Sequence, residues 1–263
     1  MAALMLRRAT WVIAGTPHRF TEVELYWNGR AHRDVFAHDD PERHEFGRWS
    51  HHRTGGEYRG GSFKGLDVAI GAPDVKAGIL IRGIERLDKD RTLIDGPSLC
   101  VDHLLALTGS RDVRSLAGSF DRSVDAPAGS SSPSFIRVED HARDVVGMFE
   151  SPRVGLSLKR GVTGARLRFI AAPYRFLSEP ARIKKGRMHL AVSLHRQRAS
   201  HADIAAITGS SPAQVSRWCD LYDRGRARHP DSFSRELRRD ELCELFGACE
   251  RLLPASSLRA IQA

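Results

Sequence analysis

Polar and apolar side chains alternate along residues 20–27, in a run rich in β-branched and aromatic residues. This pattern predicts a β-strand. Because successive side chains of a strand point to opposite faces, Glu22, Glu24 and Tyr26 should share one face, and the intervening Val23 and Leu25 should enter a core from the other. Two carboxylates this close raise each other's pKa unless a cation lies beside them. The alternative is an edge strand whose glutamates face water.

Further short apolar runs, bounded by glycine, proline or polar residues, predict the other elements. The helix expected to follow 95–98 has turn and capping residues before it and Gly109 after it. Residues 121–134 are rich in Ser, Pro, Ala and Gly, which favours a surface loop. We predict strands at 11–14, 66–71, 77–86, 153–158 and 166–171, and helices at 99–107, 139–148 and 184–196.

Residues 201–225 have the pattern of a helix-turn-helix. A short helix is expected to stop at Gly209, and a second is expected to restart at Ser211 with proline in its first turn. The second helix would expose Gln214 and Arg217, which in a DNA-binding protein would face the major groove. The alternative is an ordinary pair of packed helices.

These elements predict an α+β fold. We expect a curved, mixed or antiparallel sheet core with flanking helices over residues 1–180, followed by a small all-α region over 181–263 that contains the helix-turn-helix segment.

The composition is basic, and this bears on the kind of partner that the protein binds. Of the 263 residues, 41 are Lys or Arg and 32 are Asp or Glu, a net charge of +9, which favours a polyanion such as nucleic acid. Arginine is preferred to lysine, so a compositional bias is the alternative explanation. The four cysteines form no CxxC pair, and no secretory signal or apolar run of about 20 residues is present. We expect a monomeric cytoplasmic protein, nucleoid-associated if bacterial, without a membrane segment.

Three blocks, in order, resemble the alkyladenine (3-methyladenine, methylpurine) DNA glycosylases. The first, at 22–26, is similar to that family's E-x-E-A-Y strand. The second joins 78–85, like its V-L-L-R-A-L-E strand, to 95–100, like its G-P-x-x-L-C. The third joins 153–155, like its R-[IV]-G, to 166–169, like its basic-L-R-F. The resemblance covers about residues 18–177 and leaves out the C-terminal third.

The resemblance implies hydrolysis of the N-glycosidic bond of a damaged, flipped-out purine. Glu24 matches the carboxylate that activates water, and Arg82 matches the arginine that holds the carboxylate and the water. Tyr26 matches a base-stacking aromatic. His38 is the counterpart of a pocket histidine, with His32 as a competitor. Asp67 stands roughly where the family has a pocket asparagine, and this change would alter which purines fit.

The family's tyrosine wedge segment is replaced here by a glycine-rich, basic and aromatic stretch at 47–67, and its leading helix with an L-L-G signature is absent. Tyr58 or Phe63 could act as the wedge. We expect this stretch to contact DNA, since extruding a base needs an apolar wedge and cations on the phosphates. Its predicted DNA contacts are Arg53, Tyr58, Arg59, Phe63 and Lys64.

The histidines of 38–52 could instead hold a metal, but their spacing fits no closed site. We therefore expect a glycosylase of duplex DNA that acts in base excision repair without metal or organic cofactor. Two alternatives stay open. One is an N-glycosidase acting on RNA or nucleosides, and the other is a nucleic-acid-binding protein that has lost catalysis.

Overall fold

The structure is a computed structural model and describes residues 1–88, 91–119, 122–125, 132–145 and 147–252. Its contacts divide the chain into two compact units. The first contains Met1–Arg33 and Ala37–Val146, and the second contains Asp34–Phe36 and Gly147–Ala263. Part of the predicted loop at 121–134 and the end of the predicted helical region, 253–263, lie outside the described residues.

The first unit combines an antiparallel sheet with helices. Its elements are α1 (Ala2–Arg7), β1 (Ala9–Ile13), β2 (Thr16–Gly29), β3 (His32–Arg33), β4 (Phe46–His51), β5 (Arg53–Thr54), β6 (Glu57–Tyr58), β7 (Leu66–Ile70), β8 (Lys76–Arg86), β9 (Leu93–Asp95), α2 (Pro97–Thr108), α3 (Val113–Ser119) and β10 (Ser134–Val138).

The sheet of this unit is strongly curled, with the strand order β10-β1-β2-β8-β7-β4. Each of these neighbours pairs antiparallel, β3 pairs with the last two residues of β2, and β9 pairs with β8. The strand β2 lies in the middle of this order, so both of its edges are paired and its side chains are largely buried. The predicted α+β class with a curved antiparallel sheet is confirmed.

Local signals explain where these elements begin and end. Pro97 occupies the first turn of α2, and Gly109 ends it in the left-handed conformation at φ 66°, as expected for a glycine C-cap.

The predicted helix near 139–148 is wrong, because its described residues form no helix. The backbone there instead bonds to the end of α1 and the residue after it, with Glu139 N–H donating to the Arg8 carbonyl and Arg143 N–H to that of Arg7.

The second unit contains β11 (Phe149–Ser151), α4 (Gly164–Ile170), β12 (Arg175–Leu177), α5 (Arg187–Arg196), α6 (His201–Thr208), α7 (Pro212–Gly225) and α8 (Arg239–Ala248). The strands β11 and β12 pair antiparallel. The Ser193 hydroxyl of α5 donates to the Glu150 carbonyl of β11 at 2.9 Å. Position 180, where the sequence placed a domain boundary, therefore lies inside this unit rather than between units.

Two strands predicted in this region are wrong. Residues 153–158 form no strand, and residues 164–170 form α4. The strand predicted at 166–171 is absent because the Thr163 side chain accepts from the Arg166 amide and caps a helix.

A buried ion pair explains why residues 34–36 belong to the second unit. Arg153 Nη1 donates to Asp34 Oδ2 at 2.6 Å and Nη2 donates to Oδ1 at 3.1 Å, and both side chains are fully buried. Such a bidentate pair is geometrically specific. The arginine of the R-[IV]-G block thus has a structural role in this unit.

His51 of β4 makes the first unit sensitive to acid. Burial, with Arg53 nearby, lowers the pKa of His51 to about 4. The unfolded chain therefore binds a proton below about pH 6.5 that the folded chain excludes, so stability falls as the pH drops towards 4. We expect the free energy of unfolding to fall by about 3 kcal/mol between about pH 6.5 and pH 4 because of this residue. Urea unfolding at several pH values should show a shallower acid loss for His51→Gln, and an unchanged pH slope would contradict the assignment.

Candidate functional site

Two carboxylates and one guanidinium meet between β2 and β8. Arg82 Nε lies 2.6 Å from Glu22 Oε1 and 3.3 Å from Glu24 Oε1. The glutamates are fully buried and Arg82 is 4% exposed. Pairing of β2 with β8 is irregular on both sides of Glu22, which lies opposite Gly83. A Cβ at Gly83 would lie 2.7 Å from Thr21 Oγ1, so the irregular pairing requires glycine there.

The charges of this cluster favour an ionised arginine. Burial alone would lower the pKa of Arg82, but the charges of Glu24 and Glu22 outweigh it, and the net effect raises that pKa. One cation thus faces two carboxylates in a buried site.

The Tyr26 hydroxyl binds the second carboxylate oxygen of Glu24. It donates to Glu24 Oε2 at 2.9 Å, while Oε1 faces Arg82. Both carboxylate oxygens therefore have a fixed partner, which orients the group. The cluster forms because Glu22, Glu24 and Tyr26 point to the same side of β2, as the alternation predicted. On the opposite face of β2, the Val23 side chain is buried, but Trp27 is 43% exposed.

A second ion pair lies beside the first. Arg43, from the 3-10 helix Pro41–His44, donates to Asp67 of β7, and both side chains are fully buried. The Arg43 guanidinium carbon lies 5.7 Å from the centre of the Tyr26 ring. Gly78 lies against this pair, since a Cβ there would be 3.4 Å from both Arg43 Cζ and Asp67 Cβ.

Two histidines extend this second pair. His52 Nε2 lies 3.2 Å from Asp67 Oδ2, and the rings of His38 and His52 are 5.3 Å apart at their centres. Burial, and then Arg43, lowers the pKa of His52 well below its usual value, so its ring is neutral. A Cβ at Gly65 would lie 2.5 Å from His52 Nδ1, so glycine is required there.

The structure thus connects all five predicted catalytic and base-pocket residues: Glu24, Arg82, Tyr26, His38 and Asp67. Two residues that the sequence did not assign to this site, Arg43 and His52, make the connection. In the described residues, the histidines of 38–52 form no group of three or more metal-ligating side chains.

The predicted DNA-contacting stretch at 47–67 contains the β5–β6 hairpin. Arg53 Nη2 donates to Glu42 at 2.7 Å and to the Tyr58 hydroxyl at 2.9 Å, and it covers the Tyr58 ring. Arg59 Nε donates to Thr54 Oγ1 at 2.8 Å. These side chains stabilise the hairpin itself, which limits how far they can reach a ligand.

Phe63 differs from them, because it is 75% exposed beside a fixed turn. The Ser98 hydroxyl of α2 donates to the Gly61 carbonyl at 2.9 Å and fixes the 3-10 turn Gly61–Phe63. Lys64 Nζ lies 2.8 Å from Asp102 of α2. A rigid turn therefore presents an apolar ring to solvent.

The segment predicted as a helix-turn-helix contains α6 and α7, which a short turn connects. Gly209 ends α6 at φ 63°, and the Ser211 side chain accepts from the Gln214 amide at the start of α7. Gln214 and Arg217 are exposed, and Arg217 forms an ion pair with Asp240.

A basic groove of about 500 Å³ lies in the second unit, where the first turns of α5, α7 and α8 face one another. Helix N-termini and cations both favour anions. Its polar lining consists of Lys184, Lys185, Arg187, His189, Gln214 and Arg239.

No protein-family model matches the chain. The chain is 27% identical over 201 residues to an uncharacterized protein, L759, of Acanthamoeba polyphaga mimivirus, an alignment that covers 70% of this chain and 87% of the viral protein. In the described ranges, every helix is too short or too polar to cross a membrane.

Proposed function

We propose that the first unit hydrolyses the N-glycosidic bond of an alkylated or deaminated purine that is flipped out of duplex DNA, as in base excision repair. The observation that carries the proposal is the convergence of Glu24, Arg82 and Tyr26 in one buried cluster. The resemblance to the alkyladenine DNA glycosylases supports it, because these three residues lie in the first two of the three blocks that carry the resemblance.

Glu24 would act as the general base. As the bond to the purine breaks, the purine leaves with the electron pair and positive charge develops on the sugar. Water attacks the anomeric carbon, its hydroxyl stays there, and its proton passes to Glu24. A purine made cationic by alkylation leaves as a neutral base, whereas a deaminated purine leaves as an anion and takes a proton from solvent. Arg82 orients the carboxylate, and the carboxylate stabilises the sugar's charge.

The neighbouring groups would bind the extruded base. A flipped base needs a stacking surface and an edge reader, which Tyr26 and His38 can supply. Asp67 is paired with Arg43 and His52, so its charge would act through them rather than on the purine.

Contacts with DNA would come from both units. The net charge of +9 favours a polyanion. The basic groove would bind backbone phosphates, and such contacts position a protein on DNA without reading the base sequence. Gln214 at the start of α7 would reach the bases. We propose that the protein works as a monomer, in the cytoplasm or at the nucleoid.

A substrate panel tests the proposal. Duplexes carrying one alkylated or deaminated purine, the same lesions in RNA, and the free nucleosides would be incubated with the protein, and free base and abasic sites would be measured. The proposal expects turnover on damaged duplex. Preference for RNA or nucleosides would replace the substrate class, and binding without base release from any of them would favour a catalytically inactive binding protein.

Phe63 is our candidate for the wedge. In the proposal its exposed ring fills the gap left by the extruded base, so Phe63→Ala should lower turnover on a paired lesion by about tenfold or more, because unstacking a base costs a few kcal/mol. The loss should be smaller for the same lesion in a single strand. Phe46→Ala, at a phenylalanine that is 71% exposed, is the matched control. Equal losses for the two variants would remove Phe63 from this role.

A further inference from the structure

Three potential metal ligands from three different helices converge in the second unit. They are His195 of α5, His201 of α6 and Cys219 of α7, and one ligand atom from each lies within 4.8 Å of the other two. Within the described residues, no other group of three or more His, Cys, Asp or Glu side chains meets this criterion.

The local fold explains why they meet. The helix α5 ends at Arg196, and Arg198 adopts a left-handed conformation at φ 67°. The chain then enters α6, where the Ser200 side chain accepts from the Asp203 amide. This tight turn places the rings of His195 and His201 with their centres 5.9 Å apart. Cys219, from the buried side of α7, completes the group and is 1% exposed.

A carboxylate orients one of the histidines. Asp223 lies one helical turn after Cys219, and its Oδ2 is 3.1 Å from His195 Nε2. Metal-binding histidines usually donate their second ring N–H to such a group, which fixes the tautomer. If Nε2 donates to Asp223, Nδ1 of His195 carries the lone pair that a metal needs.

We propose that His195, His201 and Cys219 bind one zinc ion that joins α5, α6 and α7. Two imidazoles and one thiolate are ligands that zinc favours, and water would complete a tetrahedral site. The present separations are wider than those around one zinc, since its bonds are about 2.0–2.3 Å long. The ligands therefore have to close in, and His201, which is exposed at the start of α6, can move most easily.

Binding involves no oxidation. The thiol of Cys219 gives its proton to solvent, and the thiolate sulfur donates an electron pair to the zinc. No metal was expected from the sequence, in which these three ligands have no recognisable metal-binding spacing. These three are brought together only by the packing of three helices, and the site would stabilise the helix-turn-helix whether or not the first unit is an enzyme.

Cobalt provides a direct test. The full-length, metal-free protein would be titrated with Co²⁺, which reports thiolate ligation by a near-ultraviolet charge-transfer band and tetrahedral geometry by intense visible bands. We expect both to saturate at one equivalent and to disappear when Zn²⁺ is added. Zn²⁺ should also raise the melting temperature of the second unit, since a ligand of the folded state stabilises it. Weak visible bands without a charge-transfer band would overturn the proposal.

Variants identify the ligands. Cys219→Ser should lose the charge-transfer band, while Cys249→Ser, at another buried cysteine, should keep it.

Because the buried Cys219 variant could fail to fold, His201→Ala is the decisive variant. It should weaken the visible bands and abolish the Zn²⁺-dependent rise in melting temperature, whereas His141→Ala, at an exposed histidine of the first unit, should change neither. Asp223→Asn should weaken affinity by about 10- to 100-fold. Wild-type spectra and melting in His201→Ala would contradict the site.

Discussion

Replacing Glu24 with glutamine is expected to lower the rate of base release by about 10²- to 10⁴-fold, the usual contribution of a general base. The amide keeps the size of the side chain and an oxygen that can accept from Tyr26, but it cannot take a proton from water. DNA affinity should change little, because phosphate contacts dominate it. Single-turnover rates on a damaged duplex measure the first effect, and a binding titration measures the second.

Two controls make this result specific. Glu22→Gln removes the other carboxylate that faces Arg82 and should lower the rate much less. Glu236→Gln, an exposed glutamate of the second unit, should leave it unchanged. If Glu22→Gln and Glu24→Gln lose equal activity, Glu24 has no distinct role as the base.

Replacing Arg82 with methionine is expected to destabilise the first unit by about 3–5 kcal/mol, because it leaves two buried carboxylates without their cation. The melting temperature should fall by on the order of 10 °C. Arg111→Met is the matched control, since the Arg111 side chain is 90% exposed and should have almost no effect.

The sign of the pH dependence distinguishes this cause from simple loss of packing. Without Arg82, burial and mutual repulsion raise the pKa of the two carboxyl groups in the folded state. The variant should then be most stable at acid pH and lose stability as the pH rises through the raised pKa values. Urea unfolding at about pH 5 and about pH 8 measures this, and adding Glu22→Gln and Glu24→Gln to the variant should restore stability at the higher pH. A loss that does not depend on pH would contradict the charge argument.

Much of the fold was predictable because its signals are local. Alternation along 20–27 defines β2 and brings Glu22, Glu24 and Tyr26 to one face. Gly109 and Gly209 end helices where a left-handed residue is needed, and Ser211 caps the helix that follows. The strand predicted at 166–171 was wrong because the cap at Thr163 starts a helix there.

The candidate site was predictable only in part. The convergence of Glu24 and Arg82 was expected from the resemblance, since each lies in one of its blocks. Arg43 could not be found in this way, because it stands in a polar segment with no local pattern and reaches Asp67 only when β4, β7 and β8 are assembled. The group of His195, His201 and Cys219 was missed for the same reason.

The central claim is that Glu24 directs water onto the anomeric carbon beneath a damaged purine. The most direct test is a single turnover of damaged duplex in water labelled with heavy oxygen, with both products weighed by mass spectrometry. The account predicts that the label appears in the abasic sugar and not in the released purine, and that Glu24→Gln nearly abolishes both products. An intact glycosidic bond, or equal release by the wild type and Glu24→Gln, would contradict it.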